Sequence, residues 1–90
     1  MNQSTAWADL HLQMQVNLIH FLDVELDLAE TLCDMAKSHP DPEHRAEILG
    51  KIKQAIETVR YFSARIDDHC TRKSILDRAE HLECRMVSRH

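Results

Sequence analysis

Ser38-His39-Pro40-Asp41-Pro42-Glu43 holds both prolines of the chain and is its strongest break in helical patterning. The residue before a proline is pushed out of the α region, so Pro40 ends whatever helix precedes it. Asp41 then offers a side-chain oxygen to the free N–H groups of a new helix. Pro42 suits the first helical position, and Glu43 suits the positive end of the helix dipole. One helix therefore ends near Lys37 and the next begins at Pro42.

Upstream of the break, Trp7, Leu10, Met14, Leu18, Phe21, Leu22, Leu28, Ala29, Leu32 and Ala36 fall on one broad face of a helical wheel. Asp9, Gln13, His20, Asp23, Asp27, Thr31 and Asp34 lie opposite. The pattern predicts a first helix over about 5–37, capped by Ser4 or Thr5. Leu12, Val16 and Ile19 stand outside the main stripe, so the first half of this helix is apolar nearly all round.

Downstream, Ile48, Leu49, Ile52, Ala55, Ile56, Val59, Phe62 and Ile66 make a clean stripe and predict a second helix over about 42–66. Gly50 falls on its exposed side, where glycine costs about 1 kcal/mol against alanine. Asp67-Asp68-His69-Cys70-Thr71 interrupts the stripe, and Asp68 or Thr71 can cap a third helix over about 70–88. Its apolar face is Ile75, Leu76, Ala79, Leu82, Met86 and Val87.

Short connections make consecutive helices antiparallel neighbours. The expected fold is all-α: a single domain over residues 1–90, built as a three-helix up-down-up antiparallel bundle with a long N-terminal helix. At ~1.5 Å per residue the first helix outruns its partners. Its projecting end is the part that is apolar all round. Such a surface is an interaction site or a liability. The expectation is a homodimer through the N-terminal half of this helix, with Trp7, Leu10, Met14, Leu18 and Phe21 in contact across a two-fold axis. The alternative is that the chain before about Leu18 folds back as a separate short helix over the same core.

Composition narrows the class. The 90 residues carry a formal net charge of −4, and only 4% are aromatic. Binding to nucleic acid needs phosphate neutralisation and base stacking, so that class is not expected. No run is long enough to cross a bilayer, and the start lacks the basic and apolar regions of a secretory signal. Three cysteines, Cys33, Cys70 and Cys84, form no motif spacing and read as free thiols in the cytoplasm.

Two constellations bear on chemistry. Glu25 sits within the apolar face of the first helix, and antiparallel pairing through both turns brings Glu83 to its level on the apolar side of the third. Two inward carboxylates at one height would repel, share a proton or hold a cation. A metal-binding or metal-sensing bundle through Glu25 and Glu83 is therefore the alternative function. Against it, no Glu-x-x-His pair of the kind used in helical metal proteins occurs in the chain. Cys70, Asp77, His81 and Cys84 share one stripe of the third helix, but a single straight helix cannot wrap a tetrahedral ion. They read as a solvated face with two thiols, or at most a thiol-based sensor. Cys33 reads as a small core residue.

His20 is a lone histidine on the polar face, followed by Phe21, Leu22, Asp23 and Val24 rather than by the lysine and glycine of a phosphotransfer bundle. There is no phosphate-binding glycine loop and no dinucleotide fingerprint. No enzyme activity, cofactor or metal is expected.

Ile75-Leu76-Asp77-Arg78-Ala79-Glu80-His81-Leu82 resembles the third helix of MIT domains, three-helix modules that bind short helical tails between their helices. Val59-Arg60-Tyr61-Phe62 is similar to the second helix of that family, and the helical hairpin is broadly similar to TPR repeats. The resemblance implies a partner helix bordered by Leu76, Asp77, Ala79 and Glu80. Periodicity alone makes Leu76 and Ala79 core residues. The combined expectation is a non-enzymatic helical protein–protein interaction module.

Overall fold

A computed structural model describes the backbone of residues 3–87 and the side chains of residues 6–86. The described residues form three helices: α1 over Gln3–Ser38, α2 over Pro42–Ser63 and α3 over His69–Val87. They pack up-down-up into a rod of 61 × 20 × 16 Å. The side chains of Ser4, Thr5 and Val87 lie outside the described residues.

Both turns are built as the local chemistry requires. Pro42 opens α2, and the Asp41 carboxylate accepts the Glu43 backbone N–H at 3.0 Å. Before α3 the Asp68 carboxylate accepts the Thr71 N–H at 2.9 Å and also the Thr71 hydroxyl. The bond from the Thr71 hydroxyl, then that from its backbone N–H, holds the Asp68 carboxyl below its ordinary range.

α2 stops at Ser63, three residues before the predicted end at Ile66. Arg65 N–H donates to the Phe62 carbonyl and Ile66 N–H to the Ser63 carbonyl, each at 3.0 Å. These tighter i→i+3 bonds close the helix early. Ile66 still falls in the core, 1% exposed, because the turn folds it beneath α2. Arg72 of α3 fastens the turn by donating to the Ile66 carbonyl at 2.8 Å.

The core is one seam. α1 contributes Leu22, Leu26, Ala29, Cys33 and Ala36; α2 contributes Ile48, Ile52, Ile56 and Val59; α3 contributes Ile75, Ala79 and Leu82. Each fully buried aliphatic side chain is worth ~1.5–3 kcal/mol relative to exposure. Ser63 is the one buried polar residue among those described, and its hydroxyl is satisfied by the Arg60 carbonyl at 3.0 Å. Leu26, absent from the predicted stripe, is fully buried, whereas Phe21 and Leu28, placed in that stripe, are 44% and 53% exposed. The inward face of α1 is thus turned away from the predicted centre.

α3 is held to α1 by charge as well as packing. Arg78 pairs with Asp23, with Asp27 at 2.9 Å and with Glu30 at 3.1 Å; Arg85 pairs with Asp34 at 2.9 Å. Burial lowers the Arg78 pKa, but the hydrogen bonds to Asp27, Glu30 and Asp23 outweigh it and leave the pKa raised. The acidic residues at i, i+4, i+7 and i+11 of α1 are therefore a docking strip for α3 rather than a wholly solvated face.

Candidate interaction surface

α1 is one continuous helix from Gln3, so its first part does not fold back as a separate helix. It runs past the α2–α3 turn. Gln15 ties it to that turn: its amide donates to the Arg65 carbonyl and accepts the Asp67 N–H, both at 2.9 Å. His11, one helical turn earlier, pairs with the Asp67 carboxylate. The described residues before His11 extend beyond the bundle, and Trp7 and Leu10 there are 72% and 51% exposed.

The exposed apolar surface does not stop at the overhang. Trp7, Met14, Phe21, Leu28 and Met35 recur every seven residues along α1, and all are exposed. This row runs the length of the helix, and its members Phe21 and Leu28 border the groove between α1 and α2. Phe21, Glu25, Leu28 and Leu32 line that groove from one side, and Lys51, Gln54 and Thr58 from the other. At its upper end Phe21 meets Phe62 edge to face, with ring centroids 6.2 Å apart, and Tyr61 meets Phe62 at 4.9 Å. The Arg65 guanidinium lies 5.3 Å over the Phe62 ring and 5.6 Å over that of Tyr61. The cluster is apolar at its base and cationic at its rim.

Of the five predicted contact residues, Trp7, Leu10, Met14 and Phe21 share this outward surface. Leu18 is half-buried and packs against the core, so it supports the surface from below.

The two carboxylates expected to meet in the core do not. Glu25 is half-buried in the α1–α2 groove. Glu83 is exposed on the α2–α3 side, where both its oxygens accept from Arg60, at 2.8 and 3.1 Å. The physical reason is the pitch of α3. Leu82 fills the core, and one residue further is a rotation of ~100° that carries Glu83 out to α2. The hydrogen bonds from Arg60, reinforced by its charge, hold the Glu83 carboxyl below its ordinary range. Among the described residues no group of three or more His, Cys, Asp or Glu side chains is placed to hold a metal ion.

Cys70, Asp77, His81 and Cys84 are exposed along α3, and Cys33 is buried as expected. His20 is exposed on α1. His39 and His44 stack with ring centroids 5.0 Å apart at the first turn; the His39 ring accepts the Asp41 N–H at 3.2 Å, and His44 lies 3.7 Å from the Asp41 carboxylate. Of the residues implied by the MIT resemblance, Ala79 is wholly buried, Leu76 is half-buried, and Asp77 and Glu80 are exposed.

The fold and this surface define an all-α three-helix bundle with an unpaired apolar face on its longest helix. No family model matches the chain, and no curated protein or solved structure is found to be similar to it.

Proposed function

We propose that this chain is a non-enzymatic helical interaction module that self-associates through the N-terminal half of α1, with Trp7, Leu10, Met14 and Phe21 as its contact residues. The observation that carries the reading is the exposure of Trp7, Leu10 and Met14, at 72%, 51% and 61%, on a helix that outruns its own bundle. Large contiguous apolar surface of this kind marks a protein contact more often than an idle face. A partner helix laid on the same face is a further use of it, by the helix-in-groove mode. Free cysteines fit a reducing compartment, and we place the module in the cytoplasm on that ground. Among the described residues no helix is long and apolar enough to cross a membrane.

Light scattering on the full chain tests the reading. The expected mass is twice the 10.5 kDa of one chain, returning to one chain for Trp7→Glu combined with Leu10→Glu, with helical content kept. A single-chain mass for the unaltered protein at all concentrations would end the proposal.

A further inference from the structure

The apolar row on the outward face of α1 is half of a more specific pattern. Three residues after Trp7, Met14, Phe21 and Leu28 come Leu10, Asn17, Val24 and Thr31, a second row that also repeats every seven and is also exposed. Together the rows alternate spacings of three and four, which are the a and d positions of a coiled-coil heptad. A straight helix at 3.6 residues per turn lets such a repeat drift by ~20° per heptad, so the repeat stays on one stripe only when the helix coils around another. The occupant that such a repeat fits is a second helix.

From this geometry, and resting on the self-association proposed above, we infer that the outward face of α1 forms a parallel, in-register, two-stranded coiled coil with a second copy of this chain, its register set by Asn17. In that arrangement each d residue meets its own counterpart. Asn17 is the one amide in the seam, and an amide carries both donors and an acceptor, so two of them satisfy each other. Two amides at one level of the seam favour the register that brings them together over any register that parts them. Antiparallel pairing, or a stagger of one heptad, sets Asn17 against apolar residues and leaves its amide unsatisfied.

The flanks agree. Parallel pairing brings His20 beside Glu25 of the second copy, while Gln13 falls beside Leu18 and Asp27 beside Leu32. No like charges face each other across the seam.

Extent favours the full seam as well. With a contact strip ~10 Å wide and a rise of ~1.5 Å per residue, the N-terminal half alone covers roughly 400 Å² over both copies. Carrying the seam on to Met35 doubles this to roughly 800 Å² before the α2 flank is counted, close to the ~1,000 Å² expected of a specific interface.

The test uses single cysteines in the full chain, with Cys70→Ser and Cys84→Ser to remove the exposed thiols. Leu10→Cys and Thr31→Cys are made separately and mildly oxidised, and the mass of the reduced protein is measured beside them. These positions lie ~32 Å apart along the helix. An antiparallel pair can bring a position opposite itself only near its two-fold axis, so it cannot link both. Near-complete covalent dimer from L10C and equally from T31C is the expected result. A two-chain mass with a link at only one position, or at neither, overturns the parallel register and leaves the self-association reading standing. A reduced mass above two chains also overturns the inference, and a one-chain mass overturns both.

Discussion

Along α1, Ala29 and Ala36 are each 1% exposed, while their sequence neighbours Leu28 and Met35 are 53% and 49% exposed. The two faces of this helix share a rhythm of threes and fours, and they differ in what fills them. The inward row narrows to Ala29, Cys33 and Ala36, small residues that let α2 and α3 approach closely. The outward row keeps Trp7, Met14, Phe21, Leu28 and Met35, side chains far larger than a solvated face requires. The lesson is that apolar periodicity alone does not separate the two faces of a helix, whereas residue size along each face shows which one α2 and α3 already occupy.

Truncations on the two faces separate them most sharply. Leu26→Ala opens a cavity in a site with no exposure and is expected to destabilise the fold by about 3 kcal/mol. Leu28→Ala on the outward face is expected to cost the single chain less than about 0.5 kcal/mol. Urea unfolding at dilute protein checks both, since association adds apparent stability at higher concentration. Equal losses would mean that the outward face is already part of the folding core.

Arg78→Met tests which side of α1 belongs to α3. It leaves Asp23, Asp27 and Glu30 without their shared cation, and a loss of roughly 1 kcal/mol is expected in the same assay. Gly50 offers a smaller effect of opposite sign. A Cβ there meets nothing within 4 Å, so Gly50→Ala is expected to stabilise by about 0.5–1 kcal/mol and to raise Tm. No gain would place a neighbour over that side of α2.

Acid gives the smallest expected effect. The Asp68 and Glu83 carboxyls are both held low in the fold, by Thr71 and by Arg60 respectively. A group with a lowered folded pKa binds protons more readily when unfolded, so its contribution is present above its unfolded pKa and disappears as pH falls through the folded one. Stability is expected to be flat near neutrality and to decline below about pH 4, and Glu83→Gln should flatten that decline. An unchanged acid limb in that variant would remove the Arg60–Glu83 pair from the explanation.

Much of the fold was legible in local sequence. The break at Pro40 and Pro42 fixed the first turn, and the stripe from Ile48 to Ile66 named the α2 core, Ile66 included. The end of α2 was misread because Ile66 keeps the helical spacing while reaching the core from a turn. On α1 the two apolar rows merged on the wheel into one broad face, which hid Leu26 and set Phe21 and Leu28 on the same face as the core residues. The small residues Ala29, Cys33 and Ala36 were the signal that would have separated them. The pairing of Asp23, Asp27 and Asp34 with α3 depends on residues about fifty positions away, and no local period carries that information. Among the candidate contacts, the exposure of Trp7, Leu10 and Met14 was legible because the helix outruns its partners there. Glu83 was misplaced because height along a bundle says nothing about rotation around a helix.

Trp7 is the only tryptophan in the chain and stands on the outward face, so its fluorescence reports directly on whether that face is covered. Its emission should be blue-shifted in concentrated protein and should move on dilution to the position of a water-exposed indole, in step with the fall from two-chain to one-chain mass. Emission fixed at the water-exposed position from the lowest concentration to the highest would contradict the claim that α1 pairs through this face.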